Sequence, residues 1–224
     1  MRKPSTTLSR NFFVVLNSAF IGGVFALRNF CNLFILEILK GPTMRKRLTY
    51  VLMFITVTFL QTAVAKDIVV YFSATGTTAR FAQHVAQVTK SDAFEIKPVQ
   101  PYSQEDLNWK NPKSRTFKEY FDKTARPAIS KFPNLKPYDT IYVGYPIWGG
   151  YAPKIMLTFF EKANVKGKRI VTFSTCEKSA LGQSDGAIKS TAKGYRAWVS
   201  GKSFKEGSTE KDVDAWLKTL GVIR

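Results

Sequence analysis

Ser73-Ala74-Thr75-Gly76-Thr77-Thr78 places four hydroxyl side chains and a glycine in six consecutive positions. Backbone N–H groups at a helix start attract anions, and hydroxyls beside them add donors, so this composition suits an oxyanion. Two readings of the residues compete: a hydroxyl-rich turn that caps a helix, and a cradle for a phosphate monoester. The loop has neither the lysine of a P-loop nor a G-x-G-x-x-G pattern, so nucleoside triphosphates and dinucleotides fit it poorly. Other chemistry is thinly represented. Cys31 and Cys176 are the only cysteines, with no spacing that binds a metal or builds a disulfide framework. Cys176 reads as a spectator thiol, and His84, alone on a helical stretch, as a packing or surface residue.

The elements around this loop decide where it sits. Ile68-Val69-Val70-Tyr71-Phe72 is a continuous apolar run, which predicts a strand buried on both faces, and Phe81, Val85 and Val88 recur after the loop at helical spacing. Strand, turn and helix return at Thr140 to Gly144 with a helix from Pro153 to Ala163, and at Arg169 to Phe173 with a helix from Asp185 to Thr191. Weaker strands are predicted at Ala93 to Ile96 and Ala197 to Val199. A last helix runs from a Thr209 cap to Leu220, with Glu210 and Asp212 in its first turn. Strands alternating with helices predict an α/β fold, a parallel sheet covered on both faces, with ligands bound beyond the carboxyl ends of the strands. The hydroxyl-rich loop lies at such an end.

Three segments in register resemble one family. The Ser73 to Thr78 loop is similar to the T/S-x-T-G-x-T phosphate loop of flavodoxins. Gly144 to Pro153, which reads GYPIWGGYAP, resembles the Y-P-I-W-W-G-x-x-P segment with which one flavodoxin subgroup covers its flavin. Asp106 to Trp109, Ser114-Arg115, Glu119 and Arg126 to Ile129 resemble that subgroup's long insertion after the second strand. The likeness spans residues 67–220 and implies a flavodoxin-like, doubly wound, five-stranded parallel sheet in order 2-1-3-4-5, with three α/β/α layers, holding flavin mononucleotide (FMN). It puts the phosphate at Ser73, Ala74, Thr75, Gly76, Thr77 and Thr78, and the isoalloxazine against Pro146, Ile147, Trp148, Gly149 and Gly150. The pyrimidine side would meet the segment of Ser174, Thr175, Cys176 and Gly182. Trp148 is expected to stack on the ring, since glycines beside an indole leave its face open to a flat ligand. The sequence departs from the subgroup twice. Gly149 stands where relatives often carry a second bulky residue, which implies a more open flavin edge. Cys176-Glu177-Lys178 replaces a glycine-rich stretch, and Lys178 is expected to bring positive charge near N1 of the reduced flavin. In the insertion, Trp109, Phe117, Tyr120 and Phe121 are expected to pack over the sheet edge, with Arg115 and Arg126 anchoring acidic groups.

Residues 66–224 are thus the expected FMN domain, and the sequence before them reads as an address. From Met44, MRKRL gives a basic start, Thr49 to Leu60 an apolar run, and Ala63 with Ala65 an A-x-A cleavage pattern. Together they form a signal peptide over residues 44–65 and predict a periplasmic or secreted product. Upstream, residues 1–43 contain a second apolar stretch, Phe12 to Leu39, interrupted by Arg28; either Met44 is the true start or these residues insert in a membrane. Residues 66–224 carry 26 basic and 15 acidic side chains, so the domain alone has a net charge of +11. Shuttle flavodoxins are acidic and dock on basic partners, so this charge points instead to an acidic redox partner or an anionic membrane surface. Scattered lysines without a binding motif exclude nucleic acid. The functions left are an FMN-dependent redox protein delivering electrons or hydride to a protein or quinone-like acceptor, a soluble NAD(P)H-dependent reductase, and a flavin-less binding module on the same fold. Export disfavours the second, because soluble nicotinamide cofactor is not expected outside the cytoplasm.

Overall fold

The computed structural model describes residues 66–176, 182–205 and 207–222. The expected signal segment 44–65 and the residues before it lie outside these, as do Glu177 and Lys178. Strands and helices alternate along the described chain: β1 (Lys66–Tyr71), α1 (Thr77–Thr89), β2 (Asp92–Glu95), α2 (Arg115–Phe121), β3 (Tyr138–Pro146), α3 (Lys154–Lys162), β4 (Arg169–Thr175), α4 (Gly182–Thr191), β5 (Ala197–Phe204) and α5 (Glu210–Thr219). The strands form one sheet in the order β2-β1-β3-β4-β5, and every neighbouring pair is parallel. This is the flavodoxin-like α/β arrangement that the sequence predicts. Among the described residues no helix is long and apolar enough to cross a membrane.

Successive side chains of a strand point to opposite faces, so the unbroken apolar run of β1 feeds two cores. Ile68, Val70 and Phe72 join Ile141, Val143, Ile155, Phe159 and Ile188 beneath α3 and α4. Val69 and Tyr71 join Phe81, Val85, Phe173, Phe204, Val213, Trp216 and Leu217 beneath α1 and α5. Each such large apolar side chain contributes about 1.5–3 kcal/mol on full burial. His84 packs between helices, with Nε2 2.8 Å from Asp214 Oδ1 and Nδ1 3.6 Å from Glu210 Oε2, and so ties α1 to α5. Asp212 accepts the Thr209 N–H at 2.7 Å and holds the start of α5.

The strand β5 runs further than its predicted end at Val199. Lys202, Ser203 and Phe204 pair with Phe173, Ser174 and Thr175 after a register shift, because β5 takes three steps from Val199 to Lys202 while β4 takes two from Val171 to Phe173. Ser200-Gly201-Lys202-Ser203 has no apolar run because β5 is an edge strand, with half of its surface outside the core. Gly201 is required there: a Cβ at this position would stand 1.7 Å from the Thr172 carbonyl oxygen. Beside it lies a buried carboxylate, Asp185, in the first turn of α4. It accepts hydrogen bonds from Thr172 Oγ1 (2.6 Å), Trp198 Nε1 (3.0 Å) and Ser200 Oγ, which together replace water around the charge. Asp185 thereby fastens α4 to both β4 and β5. Replacing Asp185 with Ala strands three donors, and a loss of about 3 kcal/mol is expected, read as a lower urea midpoint with an unchanged slope.

Candidate functional site

The chain leaves β1 through Phe72 and turns at once. Ser73 Oγ accepts the Gly76 N–H at 3.1 Å, and Gly76 has φ 91°, a left-handed conformation that glycine adopts without strain. Gly76 O then accepts the Arg80 N–H at 3.1 Å as the first bond of α1. The N–H groups of Thr77, Thr78 and Ala79 precede any intrahelical acceptor. No side chain caps this helix, and no acidic residue lies in its first turn. The hydroxyls therefore do not serve as a cap, and the anion-cradle reading is the one this geometry fits.

The six loop residues do not all face outward. Thr75, Gly76 and Thr77 are exposed, Ser73 and Ala74 are half-buried, and Thr78 is buried. Thr78 Oγ1 lies 2.7 Å from Thr175 Oγ1, itself buried at the end of β4. These two hydroxyls tie the loop to the sheet instead of presenting themselves to a ligand. What Thr78 offers an anion is its N–H.

The second loop follows β3. Ile147 N–H donates to Thr175 O at 2.9 Å, and Trp148 and Tyr151 exchange N–H to carbonyl bonds of 2.9 and 3.0 Å across Gly149 and Gly150. Both glycines have positive φ, 58° and 86°, so the chain makes a two-residue reversal that side chains other than glycine strain. Trp148 is half-buried and packs nearly perpendicular to two rings, Phe72 at 5.7 Å and Tyr102 at 5.4 Å between centroids. Tyr102 was not singled out by the sequence. The Arg115 guanidinium lies 4.0 Å from its ring centroid, and Glu119 accepts both the Tyr102 hydroxyl (2.8 Å) and Arg115 Nε (2.7 Å). Burial, with the adjoining Glu119 carboxylate, pushes the Tyr102 phenol far above its ordinary pKa, so it stays protonated and donating. The i to i+4 spacing of Arg115 and Glu119 on α2 is the sequence signal that could have led to it.

The insertion corrects two expectations. The gap expected at Gly149 is occupied: a Cβ there would stand 2.7 Å from Tyr120 Cε2, so Tyr120 takes the place of the second bulky residue. The insertion aromatics do not all pack inward either. Trp109, in the turns before α2, is 71% exposed, and Phe121 is 66% exposed because α2 spans only seven residues and turns one stripe to the core, leaving Phe121 beside Tyr120 on the rim. Arg126 does meet an acidic group, Glu161 on α3, at 2.7 Å.

At the third loop, Ser174 and Thr175 are buried, and Cys176 is half-buried against the core with its N–H on Phe204 O at 3.0 Å. Ser174 Oγ is buried without a hydrogen-bond partner among the described residues. Pro146 ends β3 opposite Thr175, and Gly182 opens α4. The arrangement brings the Ser73 to Thr78 loop, the Trp148 turn and the end of β4 together at the carboxyl edge of adjacent strands. Among the described residues no cluster of side chains could hold a metal ion.

Comparison with known proteins agrees with this geometry. The flavodoxin family model matches residues 66–220. A flavoprotein-class protein of Bacteroides eggerthii DSM 20697 is 40% identical, with 71% of this chain and 99% of that chain covered and a TM-score of 0.63. Its counterpart from Bacteroides uniformis ATCC 8492 is 36% identical, covering 69% and 98%, also with a TM-score of 0.63. A Lactobacillus acidophilus NCFM flavoprotein solved in complex with FMN shares the fold at 18% identity, covering 68% and 99%, with a TM-score of 0.53. A search of the curated proteins gives no match.

The Thr78 to Thr175 tie has a testable signature. Thr78→Val or Thr175→Val alone leaves one buried hydroxyl unmatched and should cost about 1–3 kcal/mol, while the double exchange removes both and should cost clearly less than the sum in urea denaturation.

Proposed function

The chain belongs to the flavodoxin family, and from that premise we propose that it is an FMN-dependent redox protein, exported, that passes electrons or hydride to a protein or to a small quinone-like acceptor. The observation that carries this reading is the first turn of α1, left without side-chain cap or carboxylate beside a run of hydroxyls. The N–H groups of Thr77, Thr78 and Ala79, with the hydroxyls of Ser73, Thr75 and Thr77, are the donors that would hold the phosphate. The face of Trp148 and the Gly149-Gly150 reversal are the surface that would meet the ring. When bound, the flavin supplies the electron-transfer chemistry. The protein's own contribution is position. Phe72 and Tyr102 set the angle of Trp148, and Glu119 with Arg115 sets Tyr102.

The choice of an apolar or protein acceptor is supported by the rim of Tyr120, Phe121 and Tyr151, all exposed next to the Trp148 turn. Such a rim favours a flat, weakly polar molecule or a protein contact over a charged sugar or nucleotide. Export rests on the basic start, apolar run and A-x-A pattern of residues 44–65. It directs the choice of donor toward a membrane component or another exported protein. A chain retained in the cytoplasm would instead meet NAD(P)H, which makes a soluble reductase the second reading.

Residues 66–224, incubated with FMN and freed of excess, should show flavin absorption near one FMN per chain; a colourless product would move the reading to a flavin-less binding module. Trp148→Ala should weaken FMN and riboflavin alike, by about 1–3 kcal/mol of lost aromatic contact. Thr75→Val with Thr77→Val should weaken FMN by about 1–3 kcal/mol and leave riboflavin unchanged, as measured by fluorescence titration. Expressed from Met44 in a bacterial host, the chain should yield a mature product whose N-terminal sequencing begins at Lys66.

A further inference from the structure

The two ends of the sheet differ in charge. At the amino ends, the loops before β3 (133–137), β4 (163–168) and β5 (192–196) carry Lys136, Lys166, Lys168, Lys193 and Arg196, β4 itself opens on Arg169, and none of the three loops contains Asp or Glu. The loops adjoin one another. Lys168 Nζ donates to the carbonyls of Lys136 (3.1 Å) and Tyr138, Arg196 N–H donates to Lys168 O (2.8 Å), and Gly167 N–H donates to Gly194 O (2.8 Å). A cavity of about 400 Å³ between the first two loops is lined by Asn134, Lys136, Asn164, Lys166 and Lys168. Asp67, Asp92 and Asp139 stand at the strand starts of the same end, and the Asp67 carboxylate feels the Arg169 charge. Lys136, Lys166, Lys193 and Arg196 are exposed, and among the described residues none of the five loop side chains is in an ion pair.

At the opposite end more of the basic charge is offset. Residues 97–126 carry seven basic and four acidic side chains, and both arginines there are paired, Arg115 with Glu119 and Arg126 with Glu161. Helix dipoles do not account for the contrast, because Lys162 and Lys189 already occupy the last turns of α3 and α4, and the six lie beyond them. Unpaired like charges crowded on one face repel one another unless an anion meets them.

We infer that this amino-end face docks on an anionic lipid surface. The chain enters the domain at this end, through Lys66 of β1, directly after a segment that carries the apolar run Thr49 to Leu60. Delivery through that segment brings the Lys136, Lys166 and Arg196 face to the bilayer first, and cleavage after Ala65 adds an α-ammonium to the same end. Phosphatidylglycerol-type headgroups are then the nearest anions. The docked molecule holds the Ser73 to Thr78 loop and the Trp148 turn at the far ends of the strands, open to an acceptor. Nothing in this inference requires that the cofactor be bound.

The test uses residues 66–224, a span that makes up nearly the whole of each Bacteroides chain to which it corresponds. Sedimentation with phosphatidylcholine vesicles, with and without phosphatidylglycerol, should show binding only to the acidic vesicles. Each basic residue near such a surface adds about 1 kcal/mol, so Lys136→Gln, Lys166→Gln and Arg196→Gln together should lower partitioning ~100-fold, and each lysine exchange alone ~5-fold. Lys110→Gln, Lys113→Gln and Lys123→Gln, which remove the same charge from the other end, should lower it far less. Equal loss from both sets, no graded loss from the single exchanges, or binding of polyglutamate without binding of acidic vesicles would overturn the inference, the last in favour of an acidic protein.

Discussion

Three backbone N–H groups at the start of α1 have no acceptor within their own helix, and much of the site can be understood as what keeps them so. A buried or half-buried donor is ordinarily matched by a side-chain cap, and the loop holds enough hydroxyls to supply one. Here Ser73 is turned to the Gly76 N–H and Thr78 to Thr175, so these two hydroxyls stabilise the loop's own path and its attachment to β4. Gly76, with φ 91°, lets the chain enter the helix with that first turn still uncovered. The N–H groups proposed to hold the phosphate stay without a side-chain cap because the loop's hydroxyls at Ser73 and Thr78 are engaged elsewhere.

The second half of the site is arranged by a chain of contacts that begins in the insertion. Arg115 and Glu119 are partly buried and paired, and between them they fix the ring and the hydroxyl of Tyr102. Tyr102 and Phe72 then stand nearly perpendicular to Trp148, at interplanar angles of 77° and 81°, and hold the indole at a set angle. Such edge contacts each contribute about 0.5–1.5 kcal/mol beyond area burial, enough to select one ring orientation. Trp148 is therefore packed from the side of the insertion, which is compatible with its proposed place against the flavin ring.

How much of this could be read from the chain depended on whether a constraint was local. β1, β3 and β4 appear as apolar runs because both of their faces are covered, and α1 as a spacing of Phe81, Val85 and Val88. The phosphate-type loop and the glycine pair after Trp148 are likewise local, since backbone conformation leaves its mark on residue type. The second half of β5 was not legible, because an edge strand needs no apolar run and its register is set by the extra residue it carries between Val199 and Lys202. Tyr102 and Tyr120 were not legible as partners of Trp148 and Gly149, since their positions follow from how an irregular insertion folds back. Asp185 looked like an ordinary first-turn acid; only the convergence of Thr172, Trp198 and Ser200 shows it to be a buried fastening.

A parallel sheet with helical crossovers sorts charge before any side chain is chosen. Every such helix starts at the carboxyl end of the strands and finishes at the amino end, so partial positive charge gathers at the first and partial negative charge at the second. At the carboxyl end this chain adds hydroxyls and almost no charge to the α1 start, so an anion there meets fixed donors of defined direction. At the amino end it adds lysines and arginines well beyond what the helix termini need. Ammonium groups on flexible stems in water carry little directional information, and their attraction is screened over roughly 8–10 Å. On the proposed reading the same sign of ligand would be addressed in two ways: one by geometry, which suits a single phosphate group, and one by accumulated charge, which suits a surface.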